Sequence, residues 1–112
     1  MKFSLIMPTI GRVRETERFL QSLVAQKRDD VEVIVVDQNA DDRIVPLVAE
    51  YGRHFPILHL RETQCGLSHA RNIALPKAHG EIVGFPDDDC VYPDGLLGRV
   101  AEFFDATPHW AG

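Results

Sequence analysis

Cysteine is scarce in this chain: two residues in 112, Cys65 and Cys90, without a CxxC pair and without histidine at zinc-ligand spacing. That leaves little to build a zinc module from, and the two side chains read as free thiols. Positive charge is also in deficit, with 12 Lys and Arg against 17 Asp and Glu and a formal net charge of -5. No broad cationic surface can neutralise a nucleic-acid backbone, so nucleic acid is not an expected partner. A small phosphorylated ligand would need its charge balanced locally, by a cation, an arginine or oriented backbone amides. Long apolar runs are missing as well. Val33 to Val36 is far too short to span a bilayer, and no basic segment followed by a long apolar run opens the chain. The expected location is cytoplasmic. Neither GxGxxG nor GxxxxGK[ST] occurs, which disfavours a dinucleotide fingerprint or a P-loop.

What is present is the balance of a soluble globular protein, 45% apolar and 26% charged residues, long enough for one domain with one modest core. Short apolar runs alternate with segments of helical period, without repeats or low-complexity tracts. That alternation predicts βα units. Phe3 to Met7, Val31 to Val36, Ile57 to Leu60 and Ile82 to Phe85 are the expected strands, apolar enough for a sheet covered on both faces. Phe19, Leu20, Leu23 and Val24 mark a first helix, with Thr16 or the acids Glu15 and Glu17 favouring its amino end. Ile44 to Tyr51 gives a second. Ser68 is placed to cap a third carrying Ala70, Ile73 and Ala74, with Pro76 making its last turn irregular. Pro93 suits the first position of a fourth, whose stripe is Leu96, Leu97, Val100, Phe103 and Phe104. Right-handed crossovers then give an α/β fold of three layers, a Rossmann-like parallel sheet of about four strands with helices on both faces. Ligands in such sheets bind outside the carboxyl ends of the strands.

Those ends carry Pro8-Thr9-Ile10-Gly11-Arg12, Asp37-Gln38-Asn39 and Pro86-Asp87-Asp88-Asp89-Cys90. Asp37 follows an unbroken apolar run, so its carboxylate is expected where the strand leaves the core, able to accept from a base or ribose; a turn former or helix cap is the competing reading. Along extended backbone Asp87 and Asp89 point the same way and can hold one hard cation, Mg2+ or Mn2+, which would supply the compensation a diphosphate needs. A solvated acidic turn is the bland alternative, and the calcium-loop pattern D-x-[DN]-x-[DN]-G-x5-E is absent. Arg71, near the start of the third helix, could reach a phosphate or a uracil edge, or simply be solvated. His69 is read as a packing or surface residue.

The segments FSLIMPTIGR, VEVIVVDQN, CGLSHARNIAL and GEIVGFPDDDC, in this order and at these separations, resemble the family 2 glycosyltransferases, which transfer a sugar from a nucleoside diphosphate donor. The resemblance covers essentially the whole chain and implies the nucleotide-binding half of a GT-A fold. It also implies that Pro8 and Thr9 line the nucleotide pocket, that Asp37 contacts the base with Asn39 as a weaker member, and that Arg71 approaches the nucleotide. Asp87 to Asp89 would be the DxD element, Asp89 the principal metal ligand, and Asp87 or Asp88 close to the ribose and diphosphate. The donor would be a UDP-sugar, the cofactor Mn2+ or Mg2+, and the transfer inverting, onto a hydroxyl acceptor, in cell-envelope polysaccharide synthesis. In that family the general base and most acceptor contacts follow the DxD segment. Residues 1–112 are thus expected to be a donor-binding region truncated before a catalytic base, with Thr107 to Gly112 the approach to a further strand. Membrane contact would come only through such further segments, at the inner face. An exposed sheet edge would favour self-association. A receiver-like or flavodoxin-like binding module is the alternative.

Overall fold

A computed structural model of the chain describes residues 2–62, 66–87 and 89–106. Cys65, Asp88 and the stretch 107–112, about which the sequence raised expectations, lie outside them. The elements run β1 (Phe3–Thr9), α1 (Val13–Ala25), β2 (Val31–Asp37), α2 (Val45–Tyr51), β3 (Ile57–Arg61), α3 (Leu67–Ala74), a short 3-10 turn (Leu75–Lys77), β4 (Ile82–Gly84) and α4 (Leu96–Ala106). All strand pairs are parallel and the spatial order is β3-β2-β1-β4. The expected α/β architecture is therefore the observed one. No helix among the described residues is long and apolar enough to cross a membrane.

Side-chain alternation along the strands explains the layers. Phe3, Leu5, Met7, Val31, Val33 and Val35 point to one face, where they pack with Phe19, Leu20 and Leu23 of α1, Leu47 and Tyr51 of α2, and Leu97 of α4. Ile6, Ile34 and Val36 point to the other face, against Ala70 and Ala74 of α3. Phe19 and Leu20 are fully covered, and each such side chain contributes about 1.5–3 kcal/mol through the apolar area removed from water. Small residues on α3 let that helix lie close to the sheet.

Two expected helix starts are corrected. Helix α3 begins at Leu67 behind Gly66, so Ser68 lies in its first turn and makes no capping bond. Helix α4 begins at Leu96, not at Pro93; Pro93 instead accepts from the Leu96 amide in the turn before it. The Leu97 amide at that helix start donates to Gln26 Oε1 at 3.1 Å, while Gln26 Nε2 donates to the Pro93 carbonyl at 2.9 Å. The orphan donor is met by a side chain from α1, 71 residues away in sequence. Pro76 falls in the 3-10 turn, as its missing N–H requires.

A polar clip holds the amino-terminal edge of the sheet. Ser4 Oγ donates to Glu32 Oε2 at 2.5 Å and accepts from the Gly80 amide at 2.7 Å, and the His79 amide donates to the same carboxylate oxygen at 2.7 Å. Gly80 is obligatory there, since a Cβ would lie 2.5 Å from the Ser4 nitrogen. Burial alone would raise the Glu32 carboxyl, but the Ser4 hydroxyl and the His79 donors outweigh it and hold the group below its ordinary 4.5. A depressed carboxyl contributes stability above its unfolded value and loses it as pH falls through the folded one. Acid titration of the folded protein by circular dichroism should therefore show a loss of stability beginning near 4.5 and continuing below it; Glu32→Gln should flatten that part of the profile and lower stability at neutral pH.

Candidate functional site

Pairing between β1 and β4 stops at Leu5 and Gly84, whereas β1 and β2 stay paired out to Thr9 and Asp37. Beyond Leu5 the β1–β4 ladder ends, at the point where the strand order reverses, and open α/β sheets leave a crevice there. That is the position at which open α/β sheets bind ligands. Pro8 is tolerated in a central strand because it falls where β1 has lost one neighbour.

Thr9 closes β1. It is buried, and its hydroxyl lies 3.0 Å from that of Thr16 on α1, so Thr16 packs against the strand end and does not cap its helix. Gly11, at a φ of 70°, turns the chain into α1, and its amide donates to Asn39 Oδ1 at 2.7 Å. Asp37 was expected to leave the core, and instead its side chain is fully covered. Its Oδ1 accepts from the Asn39 amide at 3.0 Å and from Asn39 Nδ2 at 2.8 Å; its Oδ2 lies 2.8 Å from His59 Nε2 and 3.7 Å from Arg61 Nε. The reason lies in β3, whose register sets Arg61 beside Asp37 and His59 one pleat behind, so that a covered carboxylate is balanced by donors. Arg61 in turn pairs with Asp42 at 2.5 Å, which raises its pKa and ties the loop after β2 to β3.

Across the crevice, the chain after β4 turns rather than running extended: the Cys90 amide donates to the Asp87 carbonyl at 3.3 Å. Strand alternation is thus not what relates Asp87 to Asp89; a turn is. Both residues are exposed, and Asp89 Oδ2 meets Arg12 Nη1 at 3.3 Å. Among the described residues no three His, Cys, Asp or Glu side chains converge to hold a metal by themselves. Burial, then the negative charge of Asp87 and Asp89, pushes the Cys90 thiol up, so it stays protonated at neutral pH and offers no thiolate. Arg71 is placed differently from Asp37. It stands on α3, beneath the opposite face of the sheet, with its guanidinium over the Phe85 ring at 4.8 Å. His69 Nε2 approaches Glu62 Oε2 at 3.4 Å, an ion-pair distance whose geometry makes no hydrogen bond.

The loops after β1, β2 and β4 are thus joined in one line, from Asp37 through Asn39 to Gly11, and from the adjacent Arg12 to Asp89. His59, Arg61, Arg12 and Phe85 were not singled out from the sequence. His59 and Arg61 carry a signal, two polar residues at alternate positions in an otherwise apolar strand, but only the register gives it meaning.

The family profile described as glycosyl transferase family 2 matches residues 4–111. The chain belongs to that family. An uncharacterised glycosyltransferase of Haemophilus influenzae is 34% identical over 108 residues, 95% of this chain and 35% of that protein. The 1–349 portion of Staphylococcus aureus TarS, a poly(ribitol-phosphate) β-N-acetylglucosaminyltransferase, superposes with a TM-score of 0.87 at 32% identity, covering 95% of this chain and 33% of that one. The same portion in complex with UDP-GlcNAc gives 0.79 at 30% identity, covering 95% and 32%. A mannosyltransferase of Pyrobaculum calidifontis in complex with GDP-Man and Mn2+ gives 0.81 at 29% identity, covering 92% and 32%. The chain spans about a third of the length of these relatives. Membership of the family removes the receiver-like alternative.

Replacing Asp37 by Asn would remove the negative charge that His59 and Arg61 face, and would set its amide N–H₂ either against the Asn39 donors or against His59, which would then have to change tautomer to accept. The expected loss is about 2–3 kcal/mol in urea unfolding, larger than for an Asp89→Asn change in the exposed turn.

Proposed function

We infer that the crevice binds a nucleoside diphosphate sugar, a UDP-sugar ahead of a GDP-sugar, and that the longer protein transfers the sugar to a hydroxyl acceptor with inversion. What carries this reading is the line of contacts joining the loops after β1, β2 and β4 around one crevice, in a family whose solved members include a TarS portion in complex with UDP-GlcNAc. Pro8 and Thr9 would line the pocket. Asp37, with Asn39 beside it, would meet the base edge through Oδ2 once the covering His59 side chain shifts, since the carboxylate is fully covered as it stands. Arg71 would face the phosphates.

Asp87 and Asp89 offer two exposed carboxylates on one turn. Such a pair suits Mg2+ or Mn2+, hard ions that take one or two carboxylates and complete their shell with phosphate and water. Asp87 or Asp88 would lie near the ribose and diphosphate. A bound divalent ion supplies Lewis-acid stabilisation to the departing diphosphate. The residues of this chain do the rest of the donor's work: they hold the base, orient the diphosphate and keep an arginine near its charge. The base that takes the acceptor proton is assigned outside residues 1–112, and the cytoplasm remains the proposed location.

Calorimetry of the chain with UDP and GDP, each with and without Mn2+, tests this. Binding of UDP should tighten on adding Mn2+. In Asp89→Ala that gain should vanish, whereas Asp37→Asn should weaken UDP by a similar factor in both conditions. Absence of metal-dependent nucleotide binding in a folded protein overturns the reading.

Self-association is proposed at the same time, and it has a location. Strand β4 is paired only with β1 among the described residues, and beside it an apolar hollow of about 260 Å³ is lined by Phe3, Leu5, Ile82, Tyr92, Leu97 and Phe104. The complement of unpaired strand N–H and C=O groups is another strand, here that of a second copy. Sedimentation velocity should show a concentration-dependent dimer that Phe104→Glu removes; a folded monomer at every concentration counts against it.

A further inference from the structure

Phe85 is an anomaly at the carboxyl edge of the sheet. It is 40% exposed, although Pro86 beside it is buried, and it stands two residues before Asp87. One face of its ring is covered by Arg71, the guanidinium carbon 4.8 Å from the centroid. Arg12, Arg28, Arg43 and Arg61 each pair with a carboxylate. Arg71 makes no ion pair among the described residues, and its Nε is covered from solvent with no hydrogen-bond acceptor.

A half-covered guanidinium without a counter-ion is unfavourable unless something else attracts the charge. The ring does so through its quadrupole, and it leaves the charge intact. A carboxylate at position 85 would hold the arginine equally well, but it would cancel that charge and occupy the N–H groups. An aromatic face fixes the side chain while leaving its donors unspent.

We propose that Phe85 is a positioning residue for Arg71, holding the guanidinium, still fully charged, at the place where the donor diphosphate arrives. The diphosphate half of this statement rests on the donor reading above; the positional half stands on the geometry alone.

Two measurements keep those halves apart. In NMR spectra of the arginine Nε–H groups, the Arg71 signal should be displaced by the Phe85 ring current and protected from exchange. Both features should survive in Phe85→Tyr and disappear in Phe85→Leu, or in Phe85→Met should the leucine variant not fold. An Arg71 signal unchanged by loss of the ring overturns the proposal. By calorimetry, Phe85→Leu should weaken UDP about fivefold and Phe85→Tyr less than about twofold, with uridine, which lacks phosphate, unaffected. In an Arg71→Ala background Phe85→Leu should have no further effect. An equal loss for uridine, or a loss that persists without Arg71, would mean that the ring touches the nucleotide directly, and the proposal falls. If the NMR features appear as expected while the parent chain binds no UDP, the donor reading fails and the positioning role stands.

Discussion

A parallel sheet covered on both faces cannot carry polar side chains along its length, because each would need a hydrogen-bond partner inside the core. In this chain the constraint acts on β1 and β2 together. From Leu5 to Met7 and from Val33 to Val36 every side chain is buried and apolar. Chemistry is thereby displaced to the strand ends, and the order β3-β2-β1-β4 decides which ends can face one crevice. Early termination of the β1–β4 ladder opens that crevice, while the longer β1–β2 ladder gives it a rigid wall.

Asp37 is where the constraint is most nearly broken. A fully covered carboxylate closes β2, and it is tolerated because Asn39 supplies two donors to one oxygen and His59 approaches the other. The same bonds set the shape of the crevice. Asn39 spends its Nδ2 on Asp37 and its Oδ1 on the Gly11 amide, so the loop after β2 cannot move without disturbing the loop after β1. Arg61, through Asp42, fastens the far end of the β2 loop to β3. One buried acid thus organises three connections at once, which makes its role in the fold inseparable from its proposed role at the base edge.

The strands were legible in the sequence because burial on two faces leaves unbroken apolar runs, and Val33 to Val36 is such a run. The four motifs were legible as a family because they sit at the strand ends that the fold exposes. What failed to show was whatever depends on partners distant in sequence. Pro93 looked like a helix start because the Gln26 side chain that meets the Leu97 amide comes from α1. Asp37 looked exposed because the covering His59 and Arg61 arrive through the β2–β3 register, which no local pattern encodes. Asp87 and Asp89 could be read either as alternate residues of an extended segment or as an acidic turn, since proline and aspartate suit turns, and the Cys90 amide bond to the Asp87 carbonyl decides for the turn.

The Arg12–Asp89 contact bears on how a cation could enter. Both side chains are about half exposed, at 49% and 54%, and their closest approach is 3.3 Å. An exposed pair of this kind contributes about 0–1 kcal/mol, so it offers little resistance to a divalent ion that competes for Asp89. Arg12 need not leave the crevice once displaced, since it follows Gly11, whose amide stays anchored to Asn39. On the proposed donor reading, a guanidinium displaced from Asp89 would remain near the arriving diphosphate, and Arg71 would approach it stacked on Phe85. On that reading, Arg12 and Arg71 would both bring positive charge to the strand ends of an acidic chain, one from beside Asp89 and one from an aromatic ring that leaves its charge unspent.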